Sequence, residues 1–282
     1  MMTHMNVACI QMTSGPDISE NLTSAAVLIN DAAKAGAELV ITPENTDVIR
    51  SSPNLSLETA KTSDEHSGIQ YFSVLAKELG IWLLIGSMKV KISEDKLANR
   101  SFLFSNKGQL MATYDKLHMF DADLGNGESY RESDAFQAGN KAVLSSIEGR
   151  NFGLSVCYDV RFPHLYRSLA QHGAEMIAVP AAFAVPTGKD HWEGLLRARA
   201  IETGCFIFAP GQVGEHEGGR KTYGHSMIIN PWGKIVAEMT EDKTGFIMHD
   251  VKFAEVAKAR AAVPSLQRDV PYEFLKTNNK IS

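Results

Sequence analysis

Short, β-rich apolar runs alternate with longer amphipathic stretches along most of this chain, and that alternation limits the possible fold more than any other feature. Asn6 to Met12 reads as a strand, and Asn21 to Ala35 as an amphipathic helix stopped at Gly36. Leu39 to Thr42 is a strand, Ile69 to Leu79 a helix ended by Gly80, and Ile81 to Val90 a strand. Ser101 to Ser105 and Leu110 to Tyr114 flank Asn106, Lys107 and Gly108, a hairpin signal. The second half repeats the pattern. Strands are expected at Ala142 to Ile147 and Phe152 to Cys157, a helix from Pro163 to His172, a strand at Met176 to Val179 and a long helix from Asp190 to Thr203. Strands at Phe206 to Ala209, His225 to Asn230, Ile235 to Glu238 and Gly245 to His249 follow, before a last helix from Phe253 to Ala262 and a polar tail. Two rounds of strands and helices imply an α/β fold with sheets covered by helices.

At 282 residues the chain exceeds the usual domain size, yet no Pro/Gly/Ser-rich or highly charged linker divides it. It reads as a single domain over 1–282, with the core from about residue 5 to 263 and a C-terminal tail from 264 to 282. A hydrophobic content of 44% supports a large core, and a net charge of −5 gives no footprint for nucleic acid or an anionic membrane. The longest apolar stretch, Met176 to Val185, is too short to span a bilayer and contains Pro180. The N-terminal residues lack the basic and apolar regions of a secretory signal, so a cytoplasmic protein is expected. Three scattered cysteines, none in a CxxC pair, form neither a disulfide framework nor a zinc ligand set. Cys9 and Cys205, inside apolar runs, read as core fillers.

Cys157 differs, because it ends an apolar run at a strand-to-helix turn, where a thiol is held clear of the core beside backbone N–H groups. Glu44 closes the apolar run from Leu39, and Lys116 follows the run from Leu110 to Tyr114. An acid, a cation and a thiol at the ends of separate strands make a catalytic set if those ends face the same way. Other motifs fall away. GLSVC lacks the final glycine of a nucleophile elbow, which removes Ser155 from consideration, and GNGES lacks the third glycine of a dinucleotide loop. The nine histidines form no HExxH or paired cluster, so neither a metal nor a cofactor is expected.

The strings ITPEN, YDKLHMFD and GLSVCYDVRFP, in that order, resemble the signature segments of the nitrilase, or carbon–nitrogen hydrolase, superfamily. The likeness continues through YRESDAFQAG, HWEGLLRARAIETGCF and YGHSMIINPWGKIV, and so covers nearly the whole chain. It implies a four-layer α/β/β/α sandwich, and a catalytic triad of Glu44, Lys116 and Cys157. In the Nit branch a second glutamate falls on Glu132, and Arg161, Phe183 and Thr187 match positions that line the substrate pocket. In the implied mechanism Cys157 attacks an amide carbon, Glu44 moves the protons, and Lys116 with the backbone N–H of Tyr158 stabilises the oxyanion. Arg161 is suited to a substrate carboxylate because its planar fork donates two parallel hydrogen bonds. Tyr223, Gly224 and His225 are expected to shape a loop near the pocket mouth.

Within that branch the segments look most like those of amidases cleaving deaminated glutathione into 2-oxoglutarate and cysteinylglycine. Omega-amidases acting on 2-oxoglutaramate are the near alternative. The implied partners are a small-molecule amide and a second copy of the chain, paired through the helices after the Cys157 strand and before the Phe206 strand. Neither nucleic acid nor membrane is expected. A catalytically silent binding member of the fold would lack Glu44, Lys116 or Cys157, and none is missing. A Cys–His protease would need a base such as His164 or His172, to which the likeness gives no role.

Overall fold

Burial with a period of two along the first strand sets the architecture. In β1 (His4–Gln11), Val7 and Cys9 face one way, Ala8 and Ile10 the other, and all four are buried, so both faces of the sheet are covered. The computed structural model describes residues 2–124 and 129–275. In chain order β1 is followed by α1 (Ile18–Lys34), β2 (Leu39–Ile41), α2 (Pro53–Thr59), α3 (Ser67–Leu79), β3 (Trp82–Lys91), β4 (Leu97–Phe104) and β5 (Leu110–Asp115). A small ribbon, β6 (Asp121–Asp123) with β7 (Ser129–Arg131), leads into β8 (Val143–Ile147), β9 (Arg150–Leu154), α4 (Pro163–Gln171), β10 (Met176–Ala178), α5 (Val185–Thr203) and β11 (Phe206–Ala209). A second ribbon, β12 (Val213–Glu215) with β13 (Lys221–Tyr223), precedes β14 (Met227–Ile229), β15 (Ile235–Glu238), β16 (Gly245–Lys252) and α6 (Ala254–Ala262).

Ten of the first sheet's residues show how the layers form. One six-stranded sheet has the order β16-β1-β2-β3-β4-β5 and the other β15-β14-β11-β10-β9-β8. Val7, Cys9, Leu39, Ile41 and Leu84 of the first sheet join Phe152, Leu154, Met176 and Phe206 of the second in one apolar cluster, which continues into α4 and α5. Ala8, Ile10, Val40, Leu83 and Ile85 point the other way, onto Leu22, Ala25 and Ile29 of α1 and Phe72 and Ala76 of α3. The result is a helix–sheet–sheet–helix sandwich, as the family resemblance implies. Among the described residues no helix is long and apolar enough to cross a membrane.

The structure corrects the sequence reading at several boundaries. β9 stops at Leu154, and Cys157 opens a short 3-10 turn, Cys157–Arg161, because its backbone turns to φ +49°. Arg161 therefore closes that turn instead of starting α4. The long helix begins at Val185 rather than Asp190, with Pro186 in its first turn, where a missing N–H costs nothing. His225, at φ +49°, lies outside β14. The short helix α2 and both ribbons were not expected. The tail is exposed at Val270, Tyr272, Phe274 and Leu275; its residues 276–282, and most of the GNGES segment, lie outside the described residues.

Candidate active site

Three chain segments, each leaving the end of a strand, bring Glu44, Lys116 and Cys157 into one cavity of about 250 Å³. The first leaves β2 through Thr42, whose N–H still donates to Leu84 O at 3.0 Å. Between Ile85 and Met88 the β3–β4 register shifts, and the bulge presents Ser87. The Ser87 hydroxyl and carbonyl accept from Asn45 N and Thr46 N, both at 2.9 Å, fixing the turn that carries Glu44. Gly86 makes the approach possible, since a Cβ there would sit 2.0 Å from Thr42 O.

The second segment is clamped from β4. Arg100 donates to both Asp115 carboxylate oxygens, at 2.6 and 2.8 Å, and the next N–H, that of Lys116, donates to Asn99 O at 3.0 Å. The third is the Cys157 turn. A non-glycine residue at positive φ costs roughly 1–2 kcal/mol, which local bonds must offset. Cys157 N donates to Pro180 O at 2.9 Å, while the buried Asp159 carboxylate accepts from Val156 N, Tyr114 OH and His118 N. Ser155, set aside as a nucleophile, has its hydroxyl bonded to Tyr166 OH and to Ala178 O.

The charged groups close into a ring. Lys116 Nζ donates to Glu44 Oε1 at 3.0 Å and Glu132 Oε2 at 2.8 Å; Asn99 Nδ2 donates to the other side, to Glu44 Oε1 at 2.9 Å and Glu132 Oε1 at 3.1 Å. Phe120 N fixes Glu132 Oε2 at 2.7 Å, and Ala182 N fixes Glu44 Oε2 at 2.8 Å. Glu44, Lys116 and Asn99 are each at least 97% buried, and loss of Lys116 would leave two carboxylates facing each other without a cation. Burial alone raises the pKa of Glu44, but Lys116 and the bonds it receives bring it down to about 2. Lys116 is held protonated, burial being overcome by Glu132 and Glu44. Burial, then the Glu44 charge, pushes the Cys157 thiol well above its ordinary value. The Glu44 carboxylate thus stands ionised beside a thiol whose ionisation is disfavoured.

Tyr158, Arg161, Phe183 and Thr187 all line the same cavity. Arg161 lies 5.8 Å from the Tyr158 ring and 5.3 Å from the Phe183 ring, with its Nη1 beside His191 Nδ1 at 3.3 Å. Phe183 also packs on Trp192 at 4.8 Å, so it serves core and cavity together. His164 and His172 do not line the cavity. Tyr223 and His225, expected near its mouth, stack on each other at 4.2 Å and do not line it either; Arg220, three residues before Tyr223, does. Sequence reasoning also missed Asn99 and Lys89. Both lie within strands, and only the β3–β4 register, which sets Lys89 opposite Asn99, shows that they share a face.

Comparison with known proteins identifies the family. A family model described as carbon-nitrogen hydrolase matches residues 6–261. A deaminated glutathione amidase of Synechocystis sp. is 41% identical over 267 residues, covering 93% of this chain and 97% of its own. The crystal structure of Saccharomyces cerevisiae Nit3, a member of branch 10 of the nitrilase superfamily, superposes with a TM-score of 0.83 at 30% identity, over 93% of this chain and 95% of that one. A mutant amidase from Nesterenkonia sp. AN1, with the acetamide moiety of fluoroacetamide covalently added at its active site cysteine, gives a TM-score of 0.78 at 27% identity, over 92% and 95%. The chain belongs to the carbon–nitrogen hydrolase family of the nitrilase superfamily and is a hydrolase of carbon–nitrogen bonds other than peptide bonds.

Proposed function

We propose that the protein hydrolyses the amide of deaminated glutathione, releasing 2-oxoglutarate and cysteinylglycine through a thioester on Cys157. The observation that carries this reading is a thiol, a carboxylate base and a buried ammonium in one cavity with Arg161, a cation that has no carboxylate partner among the described residues. The name and 41% identity of the Synechocystis relative support the substrate.

As the sulfur attacks the amide carbon, its proton passes to Glu44, so thiolate character develops only as the C–S bond forms. The growing negative charge on the carbonyl oxygen is met by Lys116 and by the Tyr158 N–H. Glu44 then gives its proton to the departing nitrogen, and the thioester remains. The same carboxylate takes a proton from water, which attacks the thioester carbonyl; the tetrahedral adduct collapses, expelling sulfur, which recovers its proton from Glu44. Glu132 and Asn99 keep Lys116 and Glu44 aimed through the cycle. Arg161 holds the carboxylate of the 2-oxoglutaryl group against Tyr158 and Phe183.

The protein acts as a single domain, as a homodimer in the cytoplasm, without a cofactor. A substrate panel tests the reaction: kcat/KM should be highest for deaminated glutathione, lower for 2-oxoglutaramate and lowest for amides without a carboxylate. A reversed order of the first two identifies an omega-amidase instead.

A further inference from the structure

Among the described residues, six cations and three carboxylates line the Cys157 cavity, and three of the cations are already matched. Lys116 pairs with Glu44 and Glu132, Arg131 with Asp123, and Arg50 with Glu217. Arg161, Lys89 and Arg220 have no carboxylate within ion-pair distance among the described residues. Arg161 and Lys89 make different contacts: Arg161 lies against Tyr158, Phe183 and His191, whereas Lys89 Nζ donates to Ser56 Oγ of α2 at 3.1 Å. Arg220 Nη2 donates to Ala182 O at 2.9 Å, and its buried Nε has no hydrogen-bond partner among the described residues.

Lys89 is 94% buried, and its opposing charges, Asp47, Glu44 and Glu132, act on it only from beyond ion-pair distance, an arrangement costly enough to need a reason. Its place in the sheet supplies one. Lys89 stands opposite Asn99, the residue that bonds Glu44, so its ammonium lies on the Glu44 side of the cavity. Arg220 acts on the same region, since its charge is felt at both Glu44 and Lys89. Glu44 is the group that protonates the leaving nitrogen. Whatever extends from that nitrogen therefore runs past Glu44 toward Lys89 and Arg220, while the acyl half turns to Arg161.

We propose that Lys89 and Arg220 form a second anion subsite, which takes a carboxylate on the leaving-group half of the substrate. The assignment rests on the functional reading above and sharpens it, because it requires an amide that is acidic at both ends. In deaminated glutathione the second anion is the glycyl carboxylate; 2-oxoglutaramate, whose leaving group is ammonia, has nothing to place there. In the free enzyme neither cation has a carboxylate in direct contact among the described residues, the charges of Asp47, Glu44 and Glu132 reaching Lys89 only from farther off, and substrate supplies that contact.

The test measures kcat/KM for deaminated glutathione, for its analogue with the glycyl carboxylate capped as an amide, and for 2-oxoglutaramate. Wild type is compared with Lys89→Met, Arg220→Met and the charge-keeping Lys89→Arg, each checked for native circular dichroism. In wild type, capping should cost about tenfold or more, the scale of a hydrogen bond to a charged group. In Lys89→Met the capping penalty should shrink to less than about threefold, and the preference for deaminated glutathione over 2-oxoglutaramate should fall by about tenfold. Lys89→Arg should retain most of both. Equal losses on all three substrates, or a capping penalty undiminished in Lys89→Met and Arg220→Met, overturn the subsite while leaving the reaction in place. A wild-type enzyme that hydrolyses 2-oxoglutaramate but not deaminated glutathione overturns the functional reading, and the subsite with it.

Discussion

Gly86 touches Thr42 so closely that a Cβ on it would lie 2.0 Å from the Thr42 carbonyl oxygen, and the same Cβ would meet Pro180 Cβ at 2.4 Å. Thr42 leads to Glu44, and Pro180 O receives the Cys157 N–H, so one bare backbone position spaces Glu44 from Cys157. Gly86→Ala should cost about 1–3 kcal/mol of stability by overpacking and should lower kcat by more than the stability loss alone explains. Thermal melts and turnover of the folded variant check this; unchanged kcat would show that the displacement never reaches the site.

Cys157→Ala should abolish turnover and leave the fold intact, since no thioester forms without sulfur. Alkylation followed by peptide mapping should label Cys157 before Cys9 or Cys205, because only Cys157 lines the cavity. Turnover near wild type in the folded variant would remove Cys157 from the mechanism.

Glu44→Gln should lose ~10²–10⁴-fold in kcat as the proton carrier disappears, and Lys116→Met ~10²–10³-fold as the oxyanion loses its ammonium. Glu44 also makes a pH signature. Burial raises its pKa, but Lys116 overrides this and holds it at about 2, below the ordinary value of 4.5. A depressed carboxylate contributes stability that is complete above about pH 4.5 and is lost as pH falls toward 2. Melting temperatures across that window should therefore fall less steeply in Glu44→Gln than in wild type. Parallel curves would show that Glu44 is not held ionised by its partners.

The convergence of Glu44, Lys116 and Cys157 on one cavity was legible because each residue sits in its own short segment, after an apolar run and beside turn-forming residues. Glu132 was legible only by likeness to the family, and Arg161 by that likeness together with its place four residues after Cys157 and its bidentate fork. Asn99, Lys89 and Arg220 were not, and the reasons are physical. Asn99 and Lys89 meet through strand pairing after a bulge, and one residue of register decides which face they occupy. Arg220 opens onto the cavity from a ribbon whose strands are three residues each, too short for a periodic signal. The end of β9 was misplaced for a related reason: apolarity continues through Val156, but the turn to positive φ at Cys157 is held by Asp159, not by hydrophobicity.

Arg161→Ala should reduce kcat/KM for acidic amides by more than about tenfold, since breaking a charged hydrogen-bonded pair costs ~2–5 kcal/mol. Arg161→Lys keeps the charge but loses the fork and should fall between the two. Hydrolysis of a small neutral amide and the alkylation rate of Cys157 are the controls. An equal loss on neutral and acidic amides would make Arg161 an organiser of the Cys157 turn.

Lys89 gives the alkaline counterpart. Burial lowers its pKa to about 8, with Arg220 adding to the effect and Asp47, Glu44 and Glu132 opposing it. Below that value it is an ammonium; above it the positive charge is lost. KM for deaminated glutathione should climb as pH rises through about 8, with little change in kcat, and Lys89→Arg should flatten the climb. A KM profile identical in wild type and Lys89→Arg would assign any rise to another group.

A nucleophile kept as a neutral thiol until substrate arrives also bears on survival under oxidative stress. Peroxides attack thiolates, and a sulfur whose proton is released only during acyl transfer offers them little at rest. Burial first, and the negative charge of Glu44 beside it second, therefore act as a chemical safety catch on the sulfur, discouraging its ionisation.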